Sequence, residues 1–325
     1  MPWSDRTKRR LKLRDLDILM TVIATGSMGK AAKRLNISQP AVSKAIVELE
    51  DALGVRLVDR NRRGVVPTPY GLALSKRSVA IFNDLRQGVQ DIDFLSDPTK
   101  GEIRIGTTDP IMVAIVSPAI DRLSRKYPRM FFHVVAGDTT ALYRDVVERN
   151  IELTICRMIG PLPAELDAEI LFYDAFAVMA AASNPLTRRR KLTLAELADE
   201  PWALYPSDAI FGSAVAGALR ANGLEPLRPT MTSLSFHAQN EMLATGRFLT
   251  VLPSFMLGVA GRNPPLKALP VALPNPRMPI GIITLKDRTL TPLAQLFIDT
   301  VRTVAKDLAR SSPVAMSDNH KSRPT

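Results

Sequence analysis

The stretch "SQPAVSKAIVELEDALG", Ser38 to Gly54, combines a polar start with a helix that has one apolar face. Ser38 can cap the helix N-terminus, Pro40 fits the first turn because its missing N–H is not needed there, and Gly54 can end the helix. Apolar residues recur at helical spacing and predict the inner face: Ala41, Val42, Ala45, Ile46, Leu49 and Leu53. The polar start points the other way and therefore needs a role outside the core.

Two shorter helical segments precede this one. Leu13–Thr25 has apolar residues at helical spacing and ends at Gly26, and Ser27 can cap the following segment "MGKAAKRLN". Two helices, a tight turn and a third helix with an exposed start predict a helix-turn-helix. In that motif the last helix lays its N-terminal residues along base edges in the DNA major groove.

The residue types at the start of the third helix suit this role. Gln39 can make paired hydrogen bonds to a base edge, and Ser43 is short enough for a close approach. Lys44 can reach either a guanine acceptor or a phosphate, and the sequence leaves both open. The helix N-terminus at Ser38 and Pro40 favours a phosphate.

Further candidate phosphate contacts lie on both sides of this helix. Ser27 and Lys30, at the start of the preceding helix, are placed to touch the DNA backbone. After the third helix, "VRLVDRNRRGVVPTPYG" predicts a β-hairpin with Arg60, Arg62 and Arg63 at its tip. Such a wing can lie on the backbone or in the minor groove.

The distribution of charge agrees with an anionic partner at this end. The chain has 325 residues and a net charge of +11, and residues 1–64 carry 14 Lys or Arg against 7 Asp or Glu. An excess of basic residues in one domain makes nucleic acid the first candidate partner. A solvated basic tail is the alternative, because "RTKRRLKLR" alone supplies six of these charges.

A long helix is predicted next, from Pro69 to Leu95. It carries residues at alternating spacings of three and four, which is a heptad seam: Ser75, Ser78, Phe82, Leu85, Val89 and Ile92. A second copy of the chain is the simplest partner for such a seam, and packing against the chain's own body is the alternative. Ser96–Gly101, "SDPTKG", is typical of a turn or hinge.

From Glu102 onward, predicted strands and helices alternate. This pattern predicts an α/β body with a parallel sheet and helices on both faces. A break at "MIGPLP" and a Pro-rich stretch near residue 270 divide the body into two lobes, with a ligand cleft outside the strand ends and between the lobes.

The stretch "LRDLDILMTVIATGSMGKAAKRLNISQPAVSKAIVELEDALGVRLVDRNRRGVVPTPYG", Leu13 to Gly71, resembles the LysR-type transcriptional regulators. The body is similar through "EIRIG", "NIELTI" and "ATGRFLTVLP", so that the resemblance extends from Leu11 to about Leu308. It implies a winged helix-turn-helix, a dimerising linker helix and a two-lobed effector domain that resembles periplasmic solute-binding proteins. Members of the family commonly act as tetramers and respond to a small molecule between the lobes.

The resemblance also sets the expected domain boundaries and DNA contacts. It implies a DNA-binding domain at 1–68, a linker helix at 69–98 and an effector domain at 99–310, and the polar composition of 311–325 predicts a disordered tail. Within the effector domain, lobe 1 covers about 101–160 and 270–310, and lobe 2 about 161–269. The family's major-groove positions fall on Gln39, Pro40, Ser43 and Lys44, and its wing falls on Arg60–Gly64.

The family's cleft-lining positions fall on four segments of the body. They are Thr107 and Thr108, Arg157, Tyr205 to Ser207, and Ser233 to His237, including Ser235. Thr107 and Thr108 precede a predicted helix N-terminus and Arg157 is a cation, so a small organic acid is the favoured effector. A salt bridge between the lobes is the alternative for Arg157, and a local hydrogen bond at a helix start is the alternative for His237.

Other features narrow the class of protein. Met1–Arg14 is too basic for a signal peptide and no apolar run is long enough to span a membrane, so a cytoplasmic protein is expected. No nucleophile–base pair, metal-ligand pattern or phosphate loop occurs, so neither an enzyme nor a cofactor is expected. The alternatives are a solute-binding protein held to a partner by its basic end, and an enzyme with a DNA-targeting domain.

Two features do not enter this assignment. The single cysteine, Cys156, ends the apolar run "IELTIC" and is either a buried structural thiol or a reactive, ligand-sensing one. The basic cluster "TRRRK", Thr187–Lys191, falls in a predicted loop, where a solvated surface is the simplest interpretation.

Overall fold

The computed structural model describes residues 10–61, 64–97, 100–224, 227–259 and 264–311. The chain divides into two units: the residues up to Val89 together with Glu148–Asn150, and the rest of the chain from Gln90 onward. Within the described ranges, no helix is both long and apolar enough to cross a membrane.

The first unit begins with three helices packed around a small apolar core. Their bounds are Leu13–Thr25 (α1), Met28–Leu35 (α2) and Gln39–Leu53 (α3). The predicted caps are confirmed, because Ser27 Oγ accepts a hydrogen bond from Lys30 N at 3.4 Å and Ser38 Oγ accepts one from Ala41 N at 3.3 Å. The core is built from the inner faces of all three helices and includes Leu19, Val22, Ala31, Val42, Ile46 and Leu49.

A two-stranded wing follows the third helix. Strands Val58–Asn61 (β1) and Gly64–Pro67 (β2) pair antiparallel, and the hairpin is held at both ends. The Glu50 carboxylate of α3 accepts hydrogen bonds from Leu57 N at 2.7 Å and Val58 N at 3.2 Å. Val65 N donates to the Gly26 carbonyl at 2.9 Å. The wing is therefore fixed to both α3 and the end of α1.

The long helix runs from Pro69 to Ser96 (α4), and its predicted seam divides into two parts. Ser78 is buried and Phe82 packs against the core of α1–α3, so the first half of the seam packs within the first unit. Leu85, Val89 and Ile92 are 46%, 59% and 65% exposed. We predicted a separate linker domain at 69–98, whereas α4 up to Val89 belongs to the first unit.

The second unit is an α/β body of two lobes. The first lobe contains the strands Lys100–Thr107 (β3), Arg129–Ala136 (β4), Leu153–Arg157 (β5) and Leu166–Asp174 (β6). Its helices are Asp109–Ile111 (α5), which continues through a π-helical turn at Met112–Val116 into Ser117–Lys126 (α6), and Thr139–Val147 (α7).

The second lobe follows from Phe176, and the chain then returns. Its strands are Phe176–Ala181 (β7), Ala203–Leu204 (β8), Met231–Thr232 (β9), Leu249–Pro253 (β10) and Leu266–Ala268 (β11). Its helices are Ile210–Ala221 (α8) and Phe236–Ala244 (α9). It also contains 3-10 turns at Pro185–Arg188, Ala195–Leu197 and Ser254–Gly258. The strand Met278–Leu285 (β12) and the helix Pro292–Ser311 (α10) rejoin the first lobe, as predicted.

The first lobe is a five-stranded sheet in the order β4-β3-β5-β12-β6. The strands β4 and β5 lie parallel to β3, but β12 is antiparallel to both of its neighbours. The sheet is therefore mixed and not purely parallel, because β12 enters from the second lobe in the opposite direction. It also places β6 in the first lobe, which corrects our lobe boundary at about residue 161.

The second lobe differs from the predicted parallel arrangement as well. Its main sheet has the antiparallel order β10-β7-β11, and only the short pair β8-β9 is parallel. The segment "LTLAELAD", which we predicted as a helix, forms only the 3-10 turn Ala195–Leu197. Trp202, fully buried, donates its indole N–H to the Leu197 carbonyl at 2.8 Å and holds this turn against the core.

Two glycines of α4 give a matched stability test. A Cβ added at Gly71 would lie 2.0 Å from the Leu57 carbonyl oxygen, whereas one added at Gly88 meets nothing within 4 Å. Gly71→Ala is expected to destabilise the first unit by about 1–3 kcal/mol because the helix start must move. Gly88→Ala is expected to stabilise it by about 0.5–1 kcal/mol through lower chain entropy in the unfolded state. Urea unfolding checks both, and equal effects contradict the close approach of α4 to Leu57.

Candidate DNA-binding surface and ligand cavity

The outer face of α3 presents the polar start that the sequence indicated. Ser38, Gln39, Pro40 and Lys44 are exposed, and Ser43 is half-buried. The Lys44 side chain is 77% exposed and its Nζ lies 3.8 Å from a carboxylate oxygen of Glu48. An exposed pair at this spacing contributes little to stability, so Lys44 is available to an anionic partner.

Sequence reasoning missed one residue of this face. Val47 is 44% exposed, although it is apolar and lies in the middle of α3. It follows Ser43 and Lys44 by one helical turn and therefore extends the same face. An exposed valine on such a face is suited to contact a thymine methyl group. The helical spacing contains this signal, because Val47 falls between the inward residues Ile46 and Leu49.

The start of α2 adjoins the start of α3. A Cβ added at Gly29 would lie 3.9 Å from Gln39 Oε1, and Lys30, the next residue of α2, is exposed. Ser27 is half-buried and caps α2. Arg60 is exposed on β1, whereas Arg62 and Arg63 lie outside the described residues.

The second unit contains a cavity of about 640 Å³. Its lining comes from both lobes and comprises Thr108, Asp109, Pro110, Ile111, Ala136, Gly137, Asp138, Thr139, Thr140, Arg157, Ile159, Tyr205, Asp208, Ala209, Ile210, Phe211, Leu234, Pro253 and Phe255. Three of our predicted effector residues, Thr108, Arg157 and Tyr205, are in this wall. The other four, Thr107, Ser207, Ser235 and His237, are not among the lining residues.

Local structure explains most of these differences. Thr107 is fully buried and donates its hydroxyl to the Ile155 carbonyl at 3.0 Å, which joins β3 to β5. Ser235 Oγ accepts from Ala238 N at 3.2 Å and caps α9. The His237 side chain is 85% exposed and lies 4.0 Å from Glu241, one turn along α9. Ser207 is exposed beside the cavity wall.

Arg157 is held in a buried ion pair at the end of β5. Its Nη2 donates to a carboxylate oxygen of Asp174 at 2.7 Å, and its Nη1 donates to the Asp174 carbonyl at 2.8 Å. The guanidinium carbon lies 4.9 Å from the centre of the Phe176 ring. Burial lowers the pKa of Arg157, and the Asp174 charge opposes that shift.

Asp174 extends the pair to the second lobe. Its carboxylate accepts hydrogen bonds from Ser254 N at 3.0 Å, Ser254 Oγ at 2.5 Å and Phe255 N at 3.0 Å. Ser254 directly follows β10 of the second sheet, whereas Asp174 ends β6 of the first. The salt bridge is therefore part of a network at the crossing between the lobes, and Arg157 also reaches the cavity wall.

Three helices begin at the cavity. The lining includes the first residues of α5, α7 and α8, and helix N-termini favour negative charge. Each start also carries an acidic side chain: Asp109, Asp138 and Asp208. Asp138 accepts a hydrogen bond from Ala141 N at 3.0 Å and so caps α7. The remaining wall is largely apolar, with Ile111 and Phe255 among its residues.

Cys156 does not line this cavity. It is fully buried, and burial raises the pKa of its thiol to about 12. The thiolate fraction at neutral pH is therefore negligible, which favours the structural interpretation over the reactive one. Among the described residues, no group of three His, Cys, Asp or Glu side chains is placed to hold a metal ion.

Comparison with known proteins agrees with this architecture. Residues 13–72 match the bacterial regulatory helix-turn-helix proteins of the lysR family, and residues 96–306 match the LysR substrate binding domain. The chain belongs to the LysR family of transcriptional regulators. As a LysR-type regulator it combines a DNA-binding domain with an effector-binding domain, which favours regulation over the solute-binding and enzyme alternatives.

Individual relatives cover most of the chain. The HTH-type transcriptional regulator GbpR of Azospirillum brasilense is 30% identical over 301 residues, which is 91% of this chain and 87% of that protein. TdcA of Escherichia coli K12 is 30% identical over 271 residues, covering 80% and 85%. Full-length CbnR complexed with its target DNA superposes with a TM-score of 0.67 at 19% identity, covering 90% of this chain and all of that one, so the likeness concerns the fold.

The ion pair between the lobes gives a second prediction. Asp174→Ala leaves the Arg157 guanidinium buried without its carboxylate and is expected to destabilise the effector domain of this LysR-type regulator by about 3–5 kcal/mol. The matched control is Arg122→Ala, which breaks a single exposed pair with Asp307, joined at 3.1 Å, and is expected to cost less than about 1 kcal/mol. Urea unfolding measures both, and similar losses contradict a special role for the buried pair.

Proposed function

We propose that this LysR-family regulator binds DNA through the outer face of α3 and is controlled by a small organic acid in the cavity between the two lobes. The observation that carries the proposal is the position of Arg157. This residue lies in the cavity wall and is bonded to Asp174, whose carboxylate also receives hydrogen bonds from Ser254 and Phe255. A ligand at Arg157 therefore acts on the crossing between the lobes.

The electrostatics of the wall support an acid with a second polar group. A ligand carboxylate is favoured by the Arg157 guanidinium and by the N-terminus of α8, which has no side-chain cap, whereas the N-terminus of α7 is already capped by Asp138. Asp174 accepts hydrogen bonds from two of the five N–H groups of the Arg157 guanidinium, one on each terminal nitrogen, so the pair does not use all of its donors. Asp109, Asp138 and Asp208 repel a second negative charge and accept hydrogen bonds. A hydroxy acid or an amino acid satisfies both conditions.

Control requires that the acid bind one arrangement of the lobes more tightly than another. The lining includes Thr108 and Thr139 of the first lobe and Tyr205 and Phe211 of the second, so a ligand that contacts both sets favours one separation of the lobes. The change in separation is the signal that the DNA-binding domains receive.

The exposed part of α4 supports a homodimer. Leu85, Val89 and Ile92 recur at spacings of four and three and are all more than 40% exposed. A contiguous apolar stripe on a helix is stabilised when it packs against an equivalent stripe of a second chain. A dimer presents two copies of α3 to two half-sites of DNA.

The DNA assignment is tested with Lys44→Ala and the control Arg77→Ala, an exposed cation of α4. Lys44→Ala is expected to weaken binding to a duplex selected by the wild-type protein by about tenfold, which corresponds to the removal of one side-chain interaction with a base. Binding to unrelated duplex DNA falls less, because only one cation is removed from the charge term. Gel shifts at two salt concentrations measure the binding of each variant to the selected and to the unrelated duplex. An equal loss on both duplexes makes Lys44 a phosphate contact, and absence of binding by the wild-type protein contradicts the proposal.

The effector class is tested by thermal unfolding with matched compounds. A hydroxy acid and an amino acid are compared with their amides, with the corresponding amine and with a sugar. The acids are expected to raise the stability of the effector domain, by about 2.7 kcal/mol at a concentration of 100 times the Kd. The amides remove the negative charge at constant size and are expected to have no effect. Stabilisation by the sugar or the amine, without stabilisation by the acids, contradicts the proposal that the effector is an organic acid.

A further inference from the structure

The proposed function does not use a run of four cations on the second lobe. Arg188, Arg189, Arg190 and Lys191 are consecutive and all exposed. We call Arg188–Lys191 the basic ridge.

The backbone of the basic ridge is fixed by hydrogen bonds on both sides. Before it, Asn184 is buried and its Oδ1 accepts from Leu186 N at 2.9 Å, while Thr187 Oγ1 donates to the Ala182 carbonyl at 3.2 Å. After it, Leu192 N donates to the Pro270 carbonyl at 3.0 Å. The ridge is thus held in place between two anchored segments, and its binding to a partner does not require the backbone to become ordered.

Positive charge around the basic ridge is only partly offset. Within the described part of the chain, Arg189 pairs with Glu196 at 3.1 Å, and no ion pair involves Arg188, Arg190 or Lys191. Arg247, another exposed cation, lies beside the start of the ridge, because its carbonyl accepts a hydrogen bond from Asn184 Nδ2 at 3.3 Å. Residues 183–199 and 246–248 contain five exposed cations and two exposed carboxylates, Glu196 and Asp199, so the surface carries an excess of positive charge and fits an anionic partner.

The surroundings distinguish between classes of anionic partner. Folded protein partners are bound through a centre of apolar and aromatic side chains. Among the described residues, none of the exposed large apolar side chains falls within residues 183–199 or 246–248. A phosphodiester backbone, in contrast, is bound by charge alone and by guanidinium groups in particular.

We propose that the basic ridge is a second DNA-contacting surface, which binds the phosphate backbone outside the segment read by α3. This inference rests on the protein's being a DNA-binding regulator. It assigns to the effector domain a share of the DNA affinity that is independent of sequence. Because each neutralised phosphate releases counterions, this share is visible in the salt dependence of binding.

The test compares two full-length variants in which three exposed cations are replaced. The ridge variant combines Arg188→Ser, Arg190→Ser and Lys191→Ser, and it keeps Arg189 so that Glu196 retains its partner. The control variant combines Lys286→Ser, Lys306→Ser and Arg310→Ser, which are exposed residues of the first lobe and α10. Both are titrated with a mixed-sequence duplex of about 60 base pairs over a range of salt concentrations, and thermal unfolding verifies that both fold.

In the ridge variant, the slope of log K against log salt is expected to become less steep by about 0.9 for each phosphate that is no longer neutralised. The slope of the control variant is expected to equal that of the wild-type protein. Equal slopes for the wild-type protein and the ridge variant overturn the proposal. Weaker binding of the ridge variant to poly-glutamate at an unchanged DNA slope also overturns it, in favour of an acidic protein partner. Absence of DNA binding by the wild-type protein contradicts the proposed function itself and is distinguished from failure of the ridge alone.

Discussion

The effector domain depends on the hydrogen bonds that the buried Asp174 carboxylate accepts at the crossing between the lobes. Asp174 is 3% exposed and is bonded to the Arg157 side chain, to Ser254 and to the Phe255 amide. A buried carboxylate is tolerated only when its charge is paired and its lone pairs are satisfied, and here the donors come from two strand ends, that of β5 in the first sheet and that of β10 in the second. The network therefore defines where the two lobes meet, and the cavity opens beside it.

Local features of the DNA-binding domain could be predicted because the two residues that form each contact lie within a few positions of each other in the sequence. The caps at Ser27 and Ser38 each join atoms three residues apart, and Gly26 and Gly54 end helices in the left-handed conformation at φ 63° and 67°. Val47 was missed for a different reason. Its helical spacing already places it off the inner face, but it carries no charge and no hydrogen-bonding group, so the residue types that indicated DNA contacts did not include it.

The effector domain was predicted less completely because its decisive contacts join distant residues. The pairing of Arg157 with Asp174 requires that β12 lie between β5 and β6, and β12 is more than a hundred residues further along the chain. The return of β12 to the first lobe was predicted, but an alternating pattern of strands and helices predicts parallel neighbours and does not show that β12 inserts antiparallel between β5 and β6. The same cause places β6 in the first lobe. Thr107 was assigned correctly to the end of a strand, but its hydroxyl faces β5 instead of the cavity.

The buried pair also limits how a ligand can act. Replacing Asp174 as the partner of Arg157 would leave an unpaired buried carboxylate, which costs several kcal/mol. The coupling free energy in allosteric proteins is typically about 1–3 kcal/mol, so a ligand that displaced Asp174 would lose more than it transmits. The ligand must therefore share Arg157 with Asp174 and keep the network intact. The energy that distinguishes one lobe arrangement from another then comes from the cavity rim, where Thr108 and Asp138 belong to the first lobe and Tyr205 and Asp208 to the second. In the proposed mechanism Asp174 keeps its bonds at the crossing, and the contacts at the rim set the lobe separation.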